Sequence, residues 1–242
     1  TIQYVAYEKT DGLTEAGITP TKAQFTFVVT VIDNNDGTLT ATASTEDQQG
    51  FTFVNAYNTD GADIVLSGTK VLLADGYAPQ SIEGKFTFTI TSDDANAPLP
   101  QTTVVKNKAD GSVVFDAINF TLDDLNKALG TSAGVGTVRS YTFVYKVTEA
   151  GTVAGVMNDQ ETTKTISVKV TDDGKGHLTA ALDPEAATAF TFTNTYKPEI
   201  ASVQIEGTKT LVNRDMNEGE TFDFTLAAAD DATEKALRDG SI

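Results

Sequence analysis

Residues 190–196 read Phe-Thr-Phe-Thr-Asn-Thr-Tyr, a run in which β-forming side chains alternate with a period of two. This alternation predicts a β-strand that carries its aromatic residues and Asn194 on one face and its threonines on the other. The aromatic face is expected to lie against a hydrophobic core. An unpaired amide in a core costs about 1–3 kcal/mol, so Asn194 is expected to have a polar partner there.

The same pattern occurs earlier in the chain, at residues 51–57, where Asn55 takes the place of Asn194. A second motif recurs at the same spacing, because residues 67–70 match residues 206–209, which gives a period of 139 residues. That period is an ordinary domain size. The chain is therefore an array of repeated domains.

The repeat predicts three domain segments. Residues 1–58 are the C-terminal half of one domain, residues 59–197 a complete domain, and residues 198–242 the N-terminal part of the next. Many short strands separated by glycine-containing turns predict an all-β fold of tandem Ig-like sandwiches. Leucines at helical spacing over residues 122–129 predict one short helix in an inter-strand insert.

Two further expectations follow from the repeat. The third segment is expected to form strands at residues 203–211 and 222–226, which repeat the patterns of the complete domain. The chain begins inside a strand pattern at Thr1, which predicts that it is a piece of a longer array.

Residues 172–176 contain a lysine and lack the alternating ligands of a calcium loop, so a hairpin turn is predicted there.

Composition excludes several function classes. The 242 residues include 34 acidic and 17 basic side chains, a net charge of −17, which argues against a nucleic-acid or anionic-membrane partner. The chain has no cysteine and one histidine, which excludes disulfides, thiolate catalysis and multi-histidine metal sites. No apolar run is long enough to span a membrane. We predict no cofactor and no metal, and the composition suits an extracellular bacterial surface protein.

Three polar side chains of the complete domain break the alternation on core faces: Lys70, Glu149 and Asn194. Lysine and glutamate are almost never fully buried unless they are paired. Their counterparts in the partial segments are Glu8, Asn55 and Lys209. The recurrence of the set indicates a shared role, although a buried Lys–Glu pair with a hydrogen-bonded asparagine would also explain it and is often no more stabilising than apolar side chains.

These residue types permit one particular reaction. A neutral lysine amine attacks the side-chain carbonyl of an asparagine, ammonia leaves, and an amide bond joins the two side chains. Burial lowers the pKa of a lysine and raises that of a glutamic acid, so Lys70 would be the nucleophile and a protonated Glu149 would polarise the Asn194 carbonyl. Holding the groups together removes about 7–11 kcal/mol of the barrier.

Five motifs occur in an order that resembles the isopeptide-containing, Ig-like domains of Gram-positive pilin backbones and surface adhesins, the FctA-type and CnaB-like group. They lie at residues 68–72, 86–88, 111–115, 145–149 and 192–196. The resemblance implies a bond between Lys70 and Asn194 with Glu149 as catalyst. It also implies that Glu8 and Asn55 belong to the preceding domain and Lys209 to the following one.

The partial segments depart from the family pattern. The first has no lysine before Glu8, since Lys9 and Lys22 follow it, and the third has no glutamate or asparagine in the right context. Neighbouring domains or copies are therefore expected to complete them by strand complementation.

The resulting prediction is a structural subunit of a cell-surface fibre, pilus or adhesin stalk, extracellular and anchored to a Gram-positive cell wall. Its only chemistry would be self-cross-linking, without turnover. The alternative is an adhesin module that binds a host glycan or protein through its sandwich loops. A hydrolase with a carboxylate pair is a third hypothesis.

Overall fold

The computed structural model describes residues 1–20, 24–45, 52–132, 136–186, 188–199 and 201–239. The chain divides into two compact units, residues 1–199 and residues 200–242. The described residues confirm the predicted fold class, since their regular structure is almost entirely β. No helix among them is long and apolar enough to cross a membrane.

Fourteen strands and two α-helices are found in the described residues, together with one 3₁₀ turn at Thr14–Ala16. In chain order they are β1 (Ile2–Tyr7), β2 (Ile18–Pro20), β3 (Gln24–Asp33), β4 (Leu39–Thr45), β5 (Asn55–Tyr57), β6 (Ala62–Leu73), β7 (Thr87–Thr91), β8 (Val104–Lys106), β9 (Ser112–Phe120), α1 (Leu122–Leu129), β10 (Arg139–Ala150), β11 (Val156–Met157), β12 (Thr163–Asp172), β13 (Leu178–Leu182), β14 (Phe190–Tyr196) and α2 (Asp231–Asp239).

Residues 59–197, the segment predicted to be a complete domain, form a sandwich of two sheets. One has the strand order β13-β12-β10-β7-β8 and the other β11-β14-β6-β9. Inward-facing aromatic and aliphatic side chains from both sheets form one continuous core: Leu66, Phe86, Phe88, Ile90, Val113, Phe115, Ile118, Phe120, Phe143, Tyr145, Val147, Ile166, Val168, Val170, Phe190 and Phe192. The predicted period-two alternation therefore describes which side chains enter this core.

The first and last strands of the complete domain are neighbours. Strand β14 pairs with β6 in parallel, with Phe192 opposite Lys70 and Asn194 opposite Leu72. Strand β10 lies in the facing sheet and pairs with β7, where Glu149 is opposite Phe88. The fold thus brings the strands of all three predicted site residues to one part of the core.

The close approach of β6 and β14 depends on Gly68. A Cβ atom at this position would overlap the ring of Phe190. We expect Gly68→Ala to lower the free energy of unfolding by about 1–3 kcal/mol, because an added methyl group overpacks the core. Chemical denaturation measures this loss. The control is Gly207→Ala at the matching position of the repeat, where a Cβ would meet no atom within 4 Å; equal losses in the two variants would contradict the packing argument.

Residues 1–58 contain two separate sheets, β1-β3-β4 and β2-β5. Apolar side chains that would belong to a core are largely exposed here, including Ile2 (51%) and Tyr4 (46%). The strand expected over residues 51–57 is observed only as β5, and Phe51 lies outside the described residues.

Local sequence explains where both helices form. Helix α1 confirms the predicted helix: Thr121 caps its N-terminus in a capping box with Asp124, and Gly130 ends it with a left-handed conformation, φ 67°. Helix α2 was not predicted, although its Ala, Glu, Lys, Leu and Arg residues are strong helix formers.

The prediction of strands at residues 203–211 and 222–226 is wrong. The described part of residues 201–226 contains no strand. Isolated strands are not stable without partners, and these residues repeat only the front of a domain. The assignment of residues 198–242 to a third domain stays a prediction.

Candidate functional site

Lys70 and Asn194 share one face of the sheet β11-β14-β6-β9. Asn194 lies two residues beyond Phe192, the register partner of Lys70, and residues two apart on a strand point the same way. Lys70 is 4% exposed and Asn194 is fully buried. The alternation that opened the sequence analysis therefore places both polar side chains in the core.

Glu149 meets Lys70 from the facing sheet. Lys70 Nζ lies 3.0 Å from Glu149 Oε1, and both side chains are completely buried. Apart from this ion pair, Nζ and both carboxylate oxygens have no hydrogen-bond partner among the described residues. Buried polar groups without such partners are rare and costly in folded proteins, and here three such atoms cluster together.

The protonation of Lys70 is set by its surroundings. Burial lowers the pKa of its amine, while the nearby carboxylates of Glu149 and Asp159 act in the opposite direction. The ring of Phe86 lies 4.9 Å from Nζ and adds apolar surface around it. The lowered pKa favours a neutral amine, the form that acts as a nucleophile.

The side chain of Asn194 is held by a loop that sequence reasoning missed. Asn194 Oδ1 accepts a hydrogen bond from the Asp159 backbone N–H at 2.8 Å, and Nδ2 donates to Asn158 Oδ1 at 3.3 Å. Asp159 Oδ2 in turn accepts from the Thr193 backbone N–H at 2.9 Å. The loop fixes the amide and directs a main-chain donor at its carbonyl oxygen, where negative charge would develop during nucleophilic attack.

The segment at residues 1–58, predicted to be half of a domain, contains two of the three residue types. Asn55 Nδ2 donates to Glu8 Oε1 at 2.7 Å, and Glu8 Oε2 is buried without a hydrogen-bond partner among the described residues. Asn55 was expected on a core face, and this expectation is wrong for the chain as it stands, because Asn55 is exposed. No strand among the described residues covers it.

Lys209, the remaining counterpart, lies in the second compact unit. It is exposed, and its Nζ lies 4.8 Å from the centre of the Phe222 ring. The described residues contain no cluster of three or more His, Cys, Asp or Glu side chains that could hold a metal ion.

Comparison with known proteins identifies a family. A family model described as FctA, Spy0128-like isopeptide containing domain, matches residues 1–58 and 66–197. No curated protein matches the chain. The family match spans the half-domain and nearly all of the complete domain, including Lys70, Glu149 and Asn194.

Proposed function

The chain belongs to the FctA family of Spy0128-like isopeptide-containing domains, and on that premise we propose that Lys70 and Asn194 become joined by a side-chain amide bond that Glu149 catalyses. Family membership makes the chain a pilin-type structural subunit of a cell-surface fibre, with a structural role rather than an enzymatic one. The observation that carries the proposal is the fully buried contact of 3.0 Å between Lys70 and Glu149, whose charged atoms have no other hydrogen-bond partner among the described residues, on the same core face as Asn194.

The proposed reaction begins with proton transfer. Moving one proton from Lys70 Nζ to Glu149 across 3.0 Å replaces a buried ion pair by a neutral amine and a carboxylic acid. The amine then attacks Cγ of Asn194, and negative charge on Oδ1 is stabilised by the Asp159 backbone N–H.

The second half of the reaction releases ammonia. The bond between Cγ and Nδ2 of Asn194 breaks as Glu149 delivers the proton that Nδ2 needs to leave. Nζ carries two protons after the attack and returns one of them to Glu149. The bond between Lys70 Nζ and Asn194 Cγ remains as an amide. No oxidant, reductant or cofactor enters this balance, because the only product besides the bond is one molecule of ammonia.

The bond would suit a fibre that carries load. It ties the first and last strands of the complete domain, β6 and β14, which are already adjacent and parallel. Tension applied at the two ends of the domain would enter and leave through these strands, so the other strands would be bypassed.

Several finer points remain proposals. Glu8 and Asn55 would form an equivalent site once a lysine-bearing strand such as that of Lys209 completes their domain, supplied by a neighbouring domain or by another copy. Anchoring to a cell wall is proposed from the family alone. An adhesin role stays a prediction that no contact of the described residues tests.

Intact mass spectrometry tests the proposed function. We expect the folded chain to be lighter than its sequence mass by one molecule of ammonia, since the described residues contain one complete set of site residues. Lys70→Met should restore the full mass, and Lys85→Met, at an exposed lysine of the same domain, should not. A wild-type chain of full sequence mass would overturn the proposal.

A further inference from the structure

The loop between β11 and β12, residues 158–162, is anchored beside the strand that carries Glu149. We call it the amide loop. At its start, Asn158 Nδ2 donates to the carbonyl of Gly151 at 2.9 Å, just beyond the end of β10. At its end, the carbonyl of Thr162 accepts from the Glu149 backbone N–H at 2.9 Å. The amide loop is therefore tied to the sheet that supplies the proposed catalytic carboxylate.

The carboxylate of Asp159 ties the same loop to the strand of the target amide. Its Oδ2 accepts from the Thr193 backbone N–H at 2.9 Å, and its Oδ1 accepts from the Glu161 backbone N–H at 3.0 Å. Thr193 directly precedes Asn194 on β14. Asp159 thus contacts β14 twice, because its side chain holds Thr193 while its own N–H bonds Oδ1 of Asn194 at 2.8 Å.

A further inward-facing lysine, Lys164, meets this carboxylate. It lies on β12 two residues before the buried Ile166 and therefore points toward the same core. Its Nζ lies 3.4 Å from Asp159 Oδ2 and 2.7 Å from Glu161 Oε2. The ring of Phe192 is 5.5 Å from the same Nζ. The side chains of Lys164 and Asp159 are only 19% and 16% exposed, so this ion pair is largely sheltered from water.

Both members of the pair keep their charge. Burial would lower the pKa of Lys164, but the carboxylates of Glu161 and Asp159 outweigh it and raise that pKa. Burial would raise the pKa of Asp159, but its two main-chain donors and the Lys164 cation lower it. Asp159 is therefore an ionised acceptor at neutral pH. The cation of Lys164 offsets this negative charge close to the atom where further negative charge would form.

We propose that the Asp159 carboxylate, charge-balanced by Lys164, is a positioning residue for the cross-linking reaction, because it aligns the amide loop so that the Asp159 N–H meets Asn194 Oδ1 as Lys70 attacks. This inference rests on the proposed amide bond and adds residues whose side chains take no part in the bond itself. The alignment matters because one oxyanion donor contributes about 10²–10³ in rate, and a misplacement of about 1 Å costs about 10²-fold.

Asp173 offers a matched control. Its Oδ1 accepts from the N–H groups of Lys175 and His177 at 2.7 and 3.1 Å. It therefore holds two main-chain donors, as Asp159 does. It follows the last residue of β12 and so lies at the opposite end of that strand from Lys164. Removing Asp173 loosens a turn of the same domain without touching the amide loop.

Pulse-labelled cell-free synthesis of the full chain measures the reaction. A short pulse of isotope-labelled amino acids is followed by a chase, and samples are quenched in acid at successive times. Intact mass gives the fraction of labelled chains that has lost one ammonia, and protease resistance of parallel samples gives the time at which the chain folds. The chase temperature is set so that the wild-type half-time of ammonia loss exceeds the pulse.

We expect D159A to lose ammonia about ten- to hundredfold more slowly than D173A, which should match the wild type. D159N keeps an acceptor oxygen for the Thr193 N–H and should recover most of the rate. A role in stability alone would instead slow folding and ammonia loss together. Equal half-times of ammonia loss in folded D159A and D173A would overturn the inference, and so would a D159N protein as slow as D159A.

A second set of variants tests the charge balance without truncating Asp159. K164M keeps both main-chain hydrogen bonds of the carboxylate but leaves its charge unbalanced, so it should slow ammonia loss severalfold. D159N/K164M should be faster than K164M, because a neutral amide needs no cation beside it. A double variant as slow as K164M would contradict the proposed balance.

The same measurements separate this inference from the proposed function. A wild-type chain that loses no ammonia would refute the amide bond itself. Ammonia loss in the wild type, at a rate that D159A shares, would leave the bond in place and refute only the positioning role of Asp159.

Discussion

Replacing Asn194 with alanine is expected to lower the free energy of unfolding by about 4–5 kcal/mol more than replacing Asn107, the other buried asparagine of the complete domain. The bond between Lys70 and Asn194 would enclose nearly the whole domain, and closing so long a loop removes conformational entropy from the unfolded chain. At the midpoint of thermal unfolding the difference corresponds to roughly 10–20 °C.

Asn107 is a matched control because it makes the same kinds of hydrogen bond. Its Oδ1 accepts from the Phe86 backbone N–H at 3.2 Å, and its Nδ2 donates to the Ile82 carbonyl at 3.0 Å. Each variant removes a buried amide that accepts one main-chain hydrogen bond, so the difference between them reports mainly on the cross-link. Denaturant titration of both variants measures it. Similar losses in the two would mean that Asn194 is only a hydrogen-bonded core amide.

The second large effect concerns Glu149. We expect Glu149→Ala to leave the chain at its full sequence mass, because Glu149 is the carboxylate that lies 3.0 Å from Lys70 Nζ and would accept the lysine proton and return it to the leaving amide nitrogen. Lys70 and Asn194 themselves are unchanged in this variant, so the experiment separates catalysis from the presence of the bonding partners.

Glu83→Ala is the control, since Glu83 is an exposed carboxylate of the same domain and its loss should not change the ammonia release. Circular dichroism shows whether the Glu149→Ala protein keeps its β-structure. A folded Glu149→Ala protein that still lacks one ammonia would show that Glu149 has no part in forming the bond.

The sequence allowed much of the core site to be predicted because strand alternation states which side chains point inward. Lys70, Glu149 and Asn194 each occupy a position where that alternation calls for an apolar residue, and all three are buried. Their meeting across two sheets needed the order of the strands as well, which came from the resemblance to a family rather than from alternation.

The loop that holds Asn194 could not be predicted. Asp159 contributes its backbone N–H. Every residue except proline has this donor, so the residue type does not reveal the role. Asn158 and Asp159 are ordinary loop residues in the sequence, and only the pairing of β11 with β14 brings them to the amide.

The sequence also did not predict that side chains of the partial segments, such as Asn55, are exposed. Asn55 has the same strand context as Asn194, yet it is exposed while Asn194 is buried. The difference arises because burial of a strand depends on the strands that face it, and no described strand covers Asn55. The same cause explains why residues 203–211 form no strand in this structure.

The most direct test of the central claim is tandem mass spectrometry of a proteolytic digest of the wild-type chain. The proposed bond predicts a branched peptide in which the segment containing Lys70 is joined to the segment containing Asn194, with the mass of both less one ammonia and fragment ions that place the junction at these two side chains. Recovery of the two segments as separate linear peptides, each at its unmodified mass, would contradict it.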